Sequence, residues 1–322
     1  MRDKVTIGVD IGGTTVKHAI IREDGEMITN WEIPTRLDHK GAQVPHDIWS
    51  SIQDQLVQQN IDKRDIIGIG VGAPGFIDPE TGIVTIAVNI GWENYDLKQI
   101  LQDLSGVSVF VENDANVAAL GENWKGAGNQ VHNMIAVTLG TGVGGGIISN
   151  HTIINGANGT GGEIGHITVE KDGASCNCGR KGCLETVASA TGIVRQAKEM
   201  IDSGVKTDIV NQVNDEASIT TKDIFEVAKT GDQAMNELLD HVIDVLGFAL
   251  AGVAMTTNPA KIVIGGGVSK AGDQLLQPLK KKFESYCLPR TTHACEFVLA
   301  QLENDAGVYG AAYMVLQQMK RK

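Results

Sequence analysis

A strand that ends in a glycine corner and is followed at once by a second strand occurs twice in this chain. That repetition constrains its fold more than any other feature. Lys4 to Asp10 is an apolar run that breaks at Gly12-Gly13-Thr14 and resumes from Val16 to Ile21. Roughly 130 residues later, Met134 to Leu139, a corner from Gly140 to Gly146, and Ile147 to Ile154 repeat the order. The recurrence predicts two halves of related α/β architecture facing one another across a cleft. In the first half a third strand runs through Ile33 after the turn Glu23 to Glu26. A helix at Ile48 to Val57 then precedes a β-branched strand at Ile66 to Val71, which implies a βαβ crossover and some parallel sheet. A helix at Leu97 to Leu104, a strand at Val107 to Val111 and a helix to about Trp124 follow. The second half is mostly helical after its corner, with helices at Ser189 to Asp202, Thr221 to Lys229 and Gln233 to Met255. A strand at Lys261 to Ile264 ends in a third corner, Gly265 to Gly267. A helix from Gly272 to Ser285, a strand at Phe297 to Ala300 and a helix from Ala306 to Met319 close the chain. No Pro/Ser-rich linker separates the halves, so the boundary is expected to be short and near Asn116. The expected division is a smaller domain of residues 1–116 plus roughly 304–322, and a larger one of 117–303.

With 322 residues and 42% hydrophobic content, each half can bury a core. A formal charge of −12 argues against a nucleic-acid partner, because phosphate backbones are bound by basic patches. It does not argue against a nucleotide, which backbone N–H groups and Mg²⁺ hold locally. The chain reaches its first strand by Val5 without an apolar signal core, and its longest apolar region, around Val245 to Met255, is short for a membrane span. A cytoplasmic protein with no membrane partner is therefore expected, and that apolar region reads as a buried helix.

Five cysteines, an odd number with three clustered, suit a reducing compartment better than a disulfide framework. Cys176, Cys178 and Cys183, with His166 ten residues upstream of the first, supply the Cys₃His set that closes a tetrahedral zinc site. Gly173, Gly179 and Gly182 let the backbone fold tightly enough to bring those donors together. Four protein ligands would make the zinc structural. Cys287 and Cys295 are left as buried or inert thiols.

Each of the three glycine corners can expose consecutive backbone N–H groups as an anion nest. One corner alone is an ordinary tight turn. Three of them, two in the same strand context, point to a nucleotide whose phosphates lie between the halves. Gly140, Gly142 and Gly145 also spell the dinucleotide fingerprint, but that motif demands a following helix and Ile147 to Ile154 reads as strand and turn, so NAD is excluded. No Gly-Lys-Ser/Thr follows a glycine run, which excludes a Walker A loop. Asp10, at a strand end before Gly12, Gly13 and Thr14, is placed to hold hydrated Mg²⁺ against phosphates. Asn113 and Asp114 end a strand and open a helix. Either can be an N-cap, and a carboxylate there can equally take a proton from a substrate hydroxyl.

Asp10-Ile-Gly-Gly-Thr14, Glu112-Asn-Asp-Ala-Asn116, Leu139 to Gly146, Gly162-Glu-Ile-Gly-His166 and Cys176 to Glu185 together resemble the ROK family of sugar kinases and sugar-responsive repressors. The resemblance runs nearly end to end. It implies the actin-like ATPase (ribonuclease H-like) fold and an ATP-dependent hexose kinase acting on glucose at the 6-hydroxyl, or on mannose or an N-acetylhexosamine. It makes Asp114 the base, with Asn113, Glu163, His166, Glu185 and Asn89 as further sugar contacts. Gly12, Gly13, Thr14, Thr141 and Gly142 match the phosphate corners, and Gly266 the nucleoside side. His166 would serve twice, one ring nitrogen on zinc and the other toward a sugar hydroxyl. The resemblance also favours a homo-oligomer. ROK repressors carry a helix-turn-helix module before the first glycine motif, where this chain has nine residues before Asp10, so a regulator is the lesser expectation.

Overall fold

The computed structural model describes residues 4–212 and 218–320. The chain opens with a meander of β1 (Val5–Ile11), β2 (Thr15–Arg22) and β3 (Met27–Pro34), then a single turn α1 (Asp38–Gly41) and α2 (Val44–Gln58) lead to β4 (Ile66–Ala73). Three short strands, β5 (Phe76–Ile77), β6 (Val84–Ala87) and β7 (Trp92–Tyr95), precede α3 (Leu97–Ser105), β8 (Val109–Asn113) and α4 (Asp114–Lys125). Next come β9 (Met134–Leu139), β10 (Val143–Ser149), β11 (Thr152–Ile153), α5 (Leu184–Ala188), α6 (Ala190–Asp202), α7 (Ile209–Gln212), α8 (Thr221–Lys229) and α9 (Gln233–Thr257). The order ends with β12 (Lys261–Gly265), α10 (Asp273–Tyr286), α11 (Pro289–Ala294), β13 (Glu296–Leu299) and α12 (Ala306–Lys320).

The recurrence in the sequence is a recurrence of topology. One five-stranded sheet has the order β3-β2-β1-β4-β8 and the other β11-β10-β9-β12-β13, so in both the third strand leads and the fourth and fifth follow the first. In the first sheet β1 pairs antiparallel with β2 and parallel with β4, and β4 pairs parallel with β8. In the second, β9, β12 and β13 are parallel neighbours.

Two compact units result, one of residues 1–130, 146–162 and 301–322, the other of 131–145 and 163–300. In the first unit the alternation of β1 sends Val5, Ile7, Val9 and Ile11 to one face, where Ile48, Ile52, Leu97 and Leu101 of α2 and α3 cover them. The opposite face is built for close approach. A Cβ on Gly8 would lie 2.0 Å from the Val308 carbonyl oxygen, and one on Gly70 1.9 Å from that of Ala311, so glycine is what lets α12 rest on the strands. Asp10, next on that face, meets the start of α12, where a Cβ on Gly307 would lie 2.3 Å from its Oδ2. Helix α4 packs on α12 by the same device, since Cβ atoms on Gly121 and Gly310 would lie 2.0 Å and 1.6 Å from the carbonyl oxygens of Ala306 and Val117. The expected boundary at Asn116 falls inside α4, whose packing on α12 keeps the whole helix in the first unit. His18, fully buried on β2 and stacked on Trp31 at 5.0 Å, is held neutral by burial, with its pKa lowered to about 3.

In the second unit α9 is 25 residues long, and by length and composition it could cross a membrane. Its residues Leu238, Val242, Leu246 and Leu250 are buried, so it serves as a core helix of this unit. The segment from Ile147 to Ile154, expected as strand and turn, is the end of β10, a tight turn and β11, a hairpin. Asn150 and His151 take left-handed φ values of 50° and 63°, which ends β10 and starts β11.

Candidate functional site

In the first unit Asp10 is the last residue but one of β1, opposite Lys17 of β2. It keeps some accessible surface but is surrounded by protein, and burial, then the nearby charge of Asp114, pushes its pKa up to about 7, against a smaller opposing effect of Lys17. The corner after it is pinned from the residue that follows β3. The Thr35 hydroxyl donates to the Gly12 carbonyl at 2.7 Å, and the Thr35 N–H to that of Thr14 at 2.8 Å. Gly12, Gly13 and Thr14 are exposed, and a Cβ on Gly13 would meet nothing, so a phosphate could approach this backbone closely.

Asn113 is the N-cap of α4, its Oδ1 accepting from the N–H groups of Ala115 at 2.9 Å and Asn116 at 3.2 Å, and its Nδ2 donating to the Gly75 carbonyl at 3.0 Å. Of the two residues Asn113 is therefore the cap, and Asp114 is the first residue of the helix. Burial raises the Asp114 pKa, partly offset by hydrogen bonds from the Ala115 N–H and the Asn113 side chain. A carboxylate at the start of a helix whose pKa is raised by burial suits a general base. Asn89 lies in the exposed turn between β6 and β7.

In the second unit Glu163 precedes the one-turn helix Ile164–His166. The ligating atoms of His166, Cys176, Cys178 and Cys183 lie within 4.8 Å of one another. His166 Nδ1 is 3.7 Å from Cys176 Sγ, and the sulfurs of Cys178 and Cys183 are 3.6 Å apart. Zn–S bonds of about 2.3 Å place ligands roughly 3.7 Å apart at the corners of a tetrahedron, so the donor set fits zinc. The other ring nitrogen, Nε2, faces Glu163 Oε2 at 3.9 Å. Arg180 supports the cluster, donating to the His166 carbonyl at 2.8 Å. The Cys178 thiol is lowered to about 6, first by the Arg180 N–H, while burial lifts Cys176 to about 12.

Glu185, the second residue of α5, joins this cluster to the glycine corner. Its Oε1 accepts from the Cys176 thiol at 3.6 Å and its Oε2 from the Val143 N–H at 3.2 Å. A Cβ on Gly142 would lie 2.3 Å from that Oε2, so a larger residue there would displace the Glu185 carboxylate from the Val143 N–H. Thr141 is exposed beside it. Gly266, at φ 83°, would bring a Cβ within 2.5 Å of the Leu139 carbonyl oxygen. The chain after it enters a cavity of about 420 Å³ lined by Thr221, Phe225, Gly267, Val268 and Gln274. No motif pointed to that cavity.

Residues 6–318 match the model of the ROK family. The chain is 50% identical to a glucokinase of Halalkalibacterium halodurans, covering 99% of this chain and 97% of that protein. Among solved structures, a ROK family glucokinase from Streptomyces griseus in complex with glucose and AMPPNP is 34% identical with a TM-score of 0.76, covering 97% of this chain and 99% of that one. A ROK hexokinase from Thermus thermophilus is 27% identical with a TM-score of 0.85, covering 99% of this chain and all (100%) of that one. The architecture is the actin-like ATPase fold that the sequence led us to expect.

Proposed function

The chain belongs to the ROK family, and from that premise we propose that it transfers the γ-phosphoryl group of ATP to the 6-hydroxyl of glucose, giving glucose 6-phosphate and ADP. The observation that carries the reading is Asp114, a carboxylate at the first position of α4 whose pKa is raised by burial. Asp114 accepts the 6-hydroxyl proton as that oxygen attacks phosphorus, and Asn113 sits beside it as a sugar contact through its remaining amide hydrogen. Glu163 and Glu185 accept hydrogen bonds from hydroxyls with directions fixed by the pyranose ring, and His166 Nε2 adds a polar contact. Asn89 is a further sugar contact.

Phosphates are received by Gly12, Gly13 and Thr14, and by Thr141 and Gly142. The nucleoside runs past Gly266 into the cavity at Phe225 and Val268. Asp10 is the carboxylate placed to hold hydrated Mg²⁺, which supplies neutralisation of phosphate charge. His166, Cys176, Cys178 and Cys183 hold structural Zn²⁺, which supplies a rigid tie between the segments that carry Glu163 and Glu185. The five free cysteines fit a reducing cytoplasmic setting. A second copy of the chain is the proposed protein partner, and exposed Phe248, Met255 and Tyr286, which line one shallow groove, are the apolar surface for it. A coupled ADP-release assay over glucose, mannose and N-acetylhexosamines tests the reading. Turnover with glucose first among them supports it, and no turnover with any hexose overturns it.

A further inference from the structure

Glu112 belongs to the Glu-Asn-Asp-Ala-Asn motif, yet the reading above gives it no task. Its carboxylate is half-buried and accepts from three neutral amides. Oε1 takes the backbone N–H of Asn113 at 2.9 Å and the side-chain Nδ2 of Asn116 at 3.0 Å. Oε2 takes Nδ2 of Asn155 at 2.8 Å. Asn113 precedes Asp114 and Asn116 lies two residues beyond it, so a single carboxylate ties down the chain on both sides of the base. An acidic residue serving only the helix dipole would need none of these partners.

Asn155 gives the arrangement its direction. It follows β11 in a segment closed by the Gly161 N–H donating to the Asn155 carbonyl at 2.9 Å. A Cβ on Gly159 would lie 2.1 Å from the Ile77 carbonyl oxygen, so this segment is packed tightly on the small sheet. The Asn155 amide can face Glu112 in one sense only, because turning it over would set oxygen against carboxylate oxygen. Held that way, its Oδ1 is buried without a donor among the described residues. A buried acceptor left unmatched is costly, and here the charge-assisted bond to Glu112 keeps the amide in place.

We infer that Glu112 and Asn155 are positioning residues for the phosphoryl transfer, a pin that fixes the Asn113–Asp114 turn against the 154–162 segment. The inference rests on the reading of Asp114 as the base. Neither residue touches substrate. Each acts by holding the Asp114 carboxylate where the attacking hydroxyl must be met, and misplacement by an ångström costs such reactions up to about a hundredfold in rate.

The test exchanges donor and acceptor across the pin. Asn155→Asp sets two carboxylates face to face and should lower kcat about tenfold or more, with the KM for ATP little changed. Adding Glu112→Gln restores a donor opposite Asp and should return kcat to within about threefold of the parent. Unchanged kcat in Asn155→Asp, or a double variant no better than the single one, overturns the pin. Melting curves accompany each variant. If Asn155→Asp fails to fold, Glu112→Ala is compared with Glu112→Gln, which keeps the Oε1 acceptor. A kcat for Glu112→Ala about tenfold below that for Glu112→Gln supports the pin, and equal values overturn it. Asp114→Asn separates the two ideas. If it retains turnover the base assignment itself fails, whereas loss there together with a failed exchange removes only the pin.

Discussion

Replacing Gly310 by Ala tests how the α4–α12 contact positions the first unit's chemistry. The added Cβ would lie 1.6 Å from the Val117 carbonyl oxygen and 2.6 Å from its carbon, where contacts under 3.0 Å essentially do not occur, so the two backbones must separate by about 1.4 Å. No flexible side chain can absorb that movement, since both partners are main chain. Alanine gains about 1 kcal/mol of helix propensity over glycine. Overpacking costs about 1–3 kcal/mol or more, and rigid backbone on both sides puts this case at the upper end. The net expectation is a loss of about 2 kcal/mol, or a fall in melting temperature of roughly 4–8 °C for a unit of this size. Activity should fall further than stability, because α4 carries Asp114 at its first residue and α12 begins against Asp10. Calorimetry and steady-state kinetics on the same preparation provide the assay. Gly13→Ala is the control, since its Cβ enters open space. It should melt within about 0.5 kcal/mol of the parent while raising the KM for ATP. A Gly310→Ala protein that melts at or above the parent and turns over normally would refute the reasoning.

Three further outcomes follow from the same geometry. Asp10 has a folded pKa of about 7, raised from 3.8, so its contribution to stability is complete below the lower value and is lost as pH rises through the upper one. In magnesium-free buffer, the melting temperature of Asp10→Asn relative to the parent should climb from pH 4 to pH 7 and then level off, and a flat difference would show the carboxyl is not held neutral. His18 runs the other way. Its folded pKa of about 3, lowered from 6.5, means that stability falls as pH drops below the higher value, and this fall should be absent in a His18→Phe variant that folds. Cys178→Ser should lower zinc content, melting temperature and sugar affinity together, as metal binding is coupled to local folding, and loss of zinc with intact sugar affinity would contradict the assigned role of the loop.

What the sequence revealed and what it withheld separate on physical grounds. Strands β1, β2, β4, β9 and β12 were legible because their apolar alternation or continuous β-branched runs are local signals, and the cysteine cluster because its donors lie within 18 residues of chain, from His166 to Cys183. The sheet of β5, β6 and β7 was missed since its strands are two to four residues long and interrupted by turns. The start of β10 at Val143 was missed because Gly144, Gly145 and Gly146 read as part of the glycine corner. Gly142 was legible as a corner, but its contact with the carboxylate of Glu185, 43 residues away, was not. The same limit hid Glu112. Its neighbours Asn113 and Asn116 stood in the motif, while Asn155, its third partner, is set opposite by the fold and by nothing in the local sequence.

Turnover of the Asp114→Asn variant measures the central claim most directly. The amide keeps the shape of the side chain but cannot accept the 6-hydroxyl proton, so glucose should still bind while ADP release in its presence drops by about 10²–10⁴. Near-normal turnover in that variant, with glucose binding unchanged, would contradict the account.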